Sequence, residues 1–167
     1  MGLNDTDATH VERTSDRELV VTRTVRGPAR IVFEAWANPE LFQRWWAPAS
    51  FQVTIVSYEA DVRTGGNYRL VMRHPSMDQP MEFVGRYVEV VPHERIVWTN
   101  EEGSGEGPVT TVTFEERGEE TLVTVHDLFP SKDDLDEAIA SGSTSGWGQQ
   151  LEQLETLVGE LGTSGRG

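Results

Sequence analysis

The sequence predicts an α+β fold: a curved antiparallel sheet of six or seven strands wrapped around a long C-terminal helix, with two short helices after the first strand. Three observations carry this expectation. Trp45-Trp46 and Trp147 stand on either side of a long run of strand-like sequence, which places two distant helical segments over one sheet. From residue 51 to residue 128 the apolar residues recur with a period near two. Trp147, Leu151, Leu154, Val158 and Leu161 then fall at steps of four, three, four and three, one continuous stripe on a helix whose other positions include Glu152, Glu155 and Glu160.

Residues 18–26 alternate as a first strand, with Leu19, Val21 and Val25 apolar. Gly27-Pro28 ends it, and proline suits the first turn of a helix because its missing donor costs nothing there. Ile31, Val32, Phe33, Ala35 and Trp36 are apolar on most sides and predict a buried helix. Asn38-Pro39 repeats the start signal for a second helix over residues 39–46, in which Leu41 with Trp45 and Phe42 with Trp46 are pairs one turn apart. Phe51, Val53 and Ile55 share one strand side, and Tyr58, Ala60 and Val62 the other; the change of phase near Val56 predicts a bulge. Thr64-Gly65-Gly66-Asn67 is a turn.

In the next strand Tyr68, Leu70, Met72 and His74 share a face, opposite Arg69 and Arg73. Met81, Phe83 and Tyr87 oppose Glu82 and Arg86. Pro92-His93 is a corner before a strand carrying Trp98, residues 101–108 form a glycine-rich acidic loop, and residues 109–116 and 121–128 make a hairpin. Leu122 and Leu128 compete with Val123 and Val125 for the inward face of the last strand. Ser131 and Asp134 have the spacing of a capped short helix containing Leu135 and Ile139, interrupted at residues 142–146. Residues 1–16 and 162–167 read as disordered tails around a single domain over residues 17–161.

Composition narrows the function. The 167 residues, 37% apolar, are enough for one domain with a real core. Twenty-eight acidic against 14 basic residues leave a net charge of −14, which repels nucleic-acid phosphates and anionic lipid headgroups. No apolar run is long enough to span a bilayer, and the polar N-terminal stretch lacks a signal-peptide centre, so a cytoplasmic protein with no membrane insertion is expected. The absence of cysteine excludes disulfides and thiolate chemistry.

The run Val25-Arg26-Gly27-Pro28-Ala29-Arg30-Ile31-Val32-Phe33, with Trp36 and Leu41-Phe42-Gln43-Arg44-Trp45-Trp46, resembles a known family. So do Gly65-Gly66, Gly85-Arg86-Tyr87, the stretch from Val90 to Trp98, and Gly146-Trp147 before the leucine stripe. The family is that of the activator of the 90-kDa heat-shock-protein ATPase homologues, within the START-like and polyketide-cyclase (SRPBCC) superfamily. The resemblance covers roughly residues 17–161. It implies a helix-grip fold with a cavity between the long helix and the sheet, and it allows a homodimer. The eukaryotic co-chaperones that name the family carry a further N-terminal domain, so chaperone activation is not transferred to this chain.

The residues themselves offer little chemistry. There is no Gly-x-Ser-x-Gly elbow, and His10, His74, His93 and His126 lack metal-ligand spacing, so neither a metal nor a cofactor is expected. His126 and Asp127 are strand neighbours and point to opposite faces. Glu59 and Asp61 share a face, but the outer one. Trp36 and Trp45 read as core. The expected cavity wall is Phe33, Trp46, Phe51, Tyr68, Met72, His74, Met81, Phe83, Tyr87, Trp98, His126, Trp147 and Leu151, with the proline-rich loop over residues 75–80 as lid or surface loop. The expected function is non-enzymatic binding of a small hydrophobic molecule, lipid-like or aromatic. The alternatives are a cyclase, dehydratase or hydrolase acting in the same cavity, through His74, Tyr68, Tyr87 or His126, and a dimeric or chaperone-binding interaction module.

Overall fold

The computed structural model describes residues 9–47, 52–102, 105–140 and 147–164. In chain order the elements are β1 (His10–Arg13), β2 (Glu18–Arg26), α1 (Ala29–Ala37), α2 (Pro39–Trp45), β3 (Thr54–Ala60), β4 (Asn67–Arg73), β5 (Met81–Val91), β6 (Arg95–Glu102), β7 (Gly105–Arg117), β8 (Glu120–Leu128), α3 (Lys132–Ala140) and α4 (Trp147–Ser164). The strands form one antiparallel sheet in the order β1-β2-β8-β7-β6-β5-β4-β3. β1 and β3 are its free edges, so the sheet is not a closed barrel.

The strand count differs from the six or seven expected. His10–Arg13 falls in the stretch read as a disordered tail, yet it pairs with β2 from His10↔Thr22 to Arg13↔Leu19. Its four side chains are all exposed, which is why no apolar pattern announced it. α4 likewise extends to Ser164, past the expected boundary at residue 161. The glycine-rich stretch at 101–108 is mostly ladder: β6 continues to Glu102 and β7 starts at Gly105, with Glu101↔Glu106 paired. Backbone bonding here outweighs weak intrinsic strand propensity. The expected interruption at residues 142–146 lies outside the described residues.

Helix starts follow the local chemistry. Asn38 Oδ1 accepts from the Glu40 N–H at 2.9 Å, with Pro39 in the first turn of α2. Ser131 Oγ accepts from the Asp134 N–H at 3.1 Å at the head of α3. The end of α2 is closed by another helix. Gln153 Nε2 of α4 donates to the carbonyls of Trp45 (2.8 Å) and Ala47 (3.0 Å), and Gln150 Nε2 to that of Trp46 (2.5 Å). Carbonyls at a helix C-terminus have no partner within the helix, and two glutamines supply them.

α4 turns its stripe inward: Leu151 and Leu154 are fully buried, and Leu157 and Val158 nearly so. It lies against α1, α2 and β2. Gly27, at φ +152°, lets it come close, because a Cβ there would stand 2.5 Å from Val158 Cγ1. A partly buried ion pair fixes the approach. Arg23, on the inner face of β2, donates to Glu155 of α4 at 2.6 Å, and the same carboxylate accepts the Arg26 N–H at 3.2 Å.

The last strand's ambiguity is resolved by burial. Thr121, Val123, Val125 and Asp127 face inward, while Leu122, Thr124, His126 and Leu128 face out. On the outer face Arg69 pairs with Glu82, Arg86 with Glu101 and Arg95 with Glu89. Among the described residues no helix is long and apolar enough to cross a membrane.

Candidate ligand-binding cavity

The concave face of β3–β6 is only partly covered by helices, and a cavity of about 400 Å³ remains there, partly open to solvent. Its floor is set by strand register. Tyr58 of β3 sits beside Leu70 of β4, and Leu70 beside Phe83 of β5; Met72 lies between Ile55 and Met81. The bulge between Ile55 and Ser57 carries Val56 out to solvent, so Val53 and Tyr58 both face the cavity instead of opposite sides. From β5 and β6 come Tyr87, Ile96, Trp98 and Asn100.

The helical side is a stack of rings. Trp46 lies over Phe42 (centroids 4.7 Å apart), and Phe42 over Tyr58 (4.8 Å). Trp147, in the first turn of α4, meets Trp46 edge-on at 5.6 Å. Trp36 closes the deep end against Trp98 at 5.9 Å, while Gln150 adds an amide beside Trp147. Behind this wall Trp45 is fully buried and donates Nε1–H to the Ala35 carbonyl at 2.9 Å. Met72 at the end of β4, with Met81 and Phe83 at the start of β5, is half-buried and borders the cavity beside the β4–β5 hairpin.

Gly85 makes the floor possible. It pairs with Tyr68, and a Cβ on it would stand 2.5 Å from Tyr68 Cε2 and 2.0 Å from the Thr99 carbonyl oxygen. The phenol ring therefore lies over bare backbone.

Polar groups in the wall are few. The hydroxyls of Tyr58 and Tyr87 are 3.3 Å apart and share a hydrogen bond. Burial pushes the Tyr87 hydroxyl up to about 12 and raises that of Tyr58 as well, so both phenols keep their protons at neutral pH. Tyr68 donates to the Thr99 carbonyl at 2.9 Å and, more distantly, to Asn100 Oδ1 at 3.3 Å. Asn100 Nδ2 donates to the Pro108 carbonyl (2.8 Å) and to Thr110 Oγ1 (3.2 Å), and Thr110 in turn donates to Asp127 Oδ1 at 2.5 Å. Asp127 is 8% exposed, and its burial lifts the carboxyl to about 6, against the lowering effect of the Thr110 bond and of His126. Among the described residues no three His, Asp or Glu side chains gather as a metal site would need.

Of the expected wall residues, Trp46, Tyr68, Met72, Met81, Phe83, Tyr87, Trp98 and Trp147 come together around this space. Four do not. Phe33 lies beneath α1, edge-on to His93 (5.5 Å) and Phe114 (5.6 Å). His74 turns into its own loop, its Nδ1 held by Ser76 N (3.0 Å) and Oγ (2.7 Å). His126 points to the outer face, where its Nε2 is 2.8 Å from Glu18 Oε2, because Val123 and Val125 take the inner one. Leu151 is buried in the core under α4, since only the first turn of that helix reaches the cavity. Phe51 lies outside the described residues.

The sequence reading left out Trp36, Phe42, Val53, Tyr58, Leu70, Ile96, Asn100 and Gln150 from the wall. Leu70 was legible, since it alternates with Tyr68 and Met72. Ile96 and Asn100 follow from Trp98 by the same period of two. Tyr58 required knowing how the bulge resets the phase, and Gln150 required the crossing of α4 over α2.

The model of the family described as Activator of Hsp90 ATPase homolog 1-like protein matches residues 26–159. No curated protein matches the chain. Solved structures share the fold. A Nitrosomonas europaea protein superimposes with a TM-score of 0.81 at 21% identity, covering 90% of this chain and 99% of its own. A Chromobacterium violaceum protein gives 0.70 at 28%, covering 84% and 96%. An AHSA1-like protein from Aeromonas hydrophila gives 0.67 at 19%, covering 86% and 94%. With its motif run, its helix-on-sheet architecture and a family model spanning most of its length, the chain belongs to the Activator of Hsp90 ATPase homolog 1-like family.

Proposed function

We propose that this protein binds a small, largely apolar molecule, aromatic or lipid-like, in the cavity over β3–β6. The observation that carries the reading is the cavity itself: about 400 Å³ of space walled by tryptophan, phenylalanine, tyrosine and methionine, with few polar atoms. Small-molecule sites have this size and this make-up. The two methionines beside the β4–β5 hairpin, Met72 and Met81, are unbranched and polarizable and adapt to irregular guests. They flank the loop over residues 75–80, which makes that loop the candidate entrance. An apolar guest seated there takes the aromatic wall out of contact with water and gains dispersion contacts with it.

The test is a titration of the protein with the neutral fluorophore N-phenyl-1-naphthylamine, followed through tryptophan quenching, alongside mass spectrometry of solvent extracts from freshly purified protein. Saturable binding that competes with the extracted compound supports the proposal. Met72→Trp narrows the mouth and is expected to weaken binding by roughly ten-fold or more while the fold persists. Unsaturable quenching, with no co-purifying small molecule, overturns it.

A further inference from the structure

Resting on that reading, we propose that Asn100 is the polar recognition group of the cavity, locked as a hydrogen-bond acceptor by Thr110 and Asp127, so that the preferred guest carries an O–H or N–H donor at one end. The argument is a direction of hydrogen bonding. An ionised carboxylate only accepts, so Thr110 must give its single hydroxyl proton to Asp127 Oδ1 at 2.5 Å. The Thr110 oxygen can then only accept, and it takes one hydrogen of Asn100 Nδ2 at 3.2 Å. The other Nδ2 hydrogen goes to the Pro108 carbonyl at 2.8 Å, which is also an obligate acceptor. Both donors of Asn100 are thus committed toward β7, and its Oδ1 is turned the opposite way, toward Tyr68 and the cavity.

That carbonyl oxygen has two lone pairs and receives only the longer, 3.3 Å branch of the Tyr68 hydroxyl, whose shorter branch goes to the Thr99 carbonyl. A donor on the guest is what the oxygen lacks. Among the described lining residues none carries a formal charge, so a neutral donor fits better than a charged group. Asp127 does not line the cavity. It is a positioning residue, acting through Thr110. Its presence is otherwise hard to account for, because a buried carboxylate on the inner face costs stability that an apolar side chain would not.

The experiment compares two probes of one shape on the wild-type protein, 2-naphthol and 2-methoxynaphthalene, by calorimetry at pH 8. The hydroxyl probe is expected to bind roughly five-fold tighter or more, the effect of one net hydrogen bond, although the ether is the more apolar of the two. Asn100→Leu is expected to bring the ratio to one or below, and Asp127→Asn, which frees Thr110 to reverse, to lower it. Equal binding of both probes to the wild type overturns the inference and leaves the cavity reading standing. A ratio unchanged in Asp127→Asn overturns the role of Asp127. Binding of neither probe overturns both the inference and the reading beneath it.

Discussion

Replacing Asp127 by asparagine is expected to stabilise the protein, and to do so more at high pH than at low. The carboxyl titrates at about 6 in the fold against 3.8 for the free side chain, because burial disfavours its charged form. The folded state therefore holds the proton more tightly than the unfolded state. Between the two values the native protein binds more protons, and stability falls as pH rises. Below 3.8 there is no penalty. Well above 6 the full difference of about two pH units applies, on the order of 3 kcal/mol. By pH 5 roughly half of that is already present, from the ratio of the two binding polynomials.

Asparagine keeps the oxygen that accepts from Thr110 and has no charge to bury. Any packing change that it causes is the same at both pH values and cancels in the comparison. The stability of Asp127→Asn relative to wild type should thus rise by on the order of 1 kcal/mol between pH 5 and pH 8, up to about a ten-fold change in the unfolding constant. Urea unfolding at the two pH values, read by tryptophan fluorescence, measures it. A relative stability that is the same at both, or that falls toward pH 8, would refute the argument that Asp127 is held ionised at a cost.

Three further outcomes follow from the packing. Glu155→Ala removes the anionic partner of Arg23, whose side chain is only 5% exposed, and leaves it the Thr9 hydroxyl; a cost of about 2–3 kcal/mol in urea unfolding is expected. Gly85→Ala forces a Cβ against the Thr99 carbonyl and the Tyr68 ring; a loss of about 1–3 kcal/mol is expected, together with weaker probe binding, and unchanged binding would show that the ring's seat does not matter. Gln153→Leu removes the donor shared by the Trp45 and Ala47 carbonyls and should lower stability by about 1–3 kcal/mol, with amide protection lost first at α2 in hydrogen exchange.

The elements that could be read from the chain are those whose reasons are local. Asn38 and Pro39 start α2 whatever surrounds them, and alternation in residues 67–73 is a strand with one apolar face. The four-three stripe from Trp147 to Leu161 demands an apolar surface to cover, and the change of phase at Val56 marks a bulge before any partner strand is known. β1 was not legible, because its four exposed side chains show no apolar alternation; backbone pairing with β2 and the ion pair of Arg13 with Asp136 of α3 hold this edge strand.

The site divides along the same line. Aromatic and methionine positions on the strands and helix ends identify themselves as apolar and inward, so eight of the expected wall residues meet around the cavity. Whether an inward residue faces a space or a neighbour depends on where α1, α2 and α4 cross the sheet, and no local signal carries that. Leu151 and Trp147 lie on one stripe, yet the first is sealed against the core and the second borders the cavity. His126 and Asp127 were legible as pointing to opposite faces, but which one faced inward was decided only when β8 settled between β2 and β7. Periodicity is a property of the chain, and it fixes faces; a cavity is what packed elements leave uncovered, and it exists only once they meet.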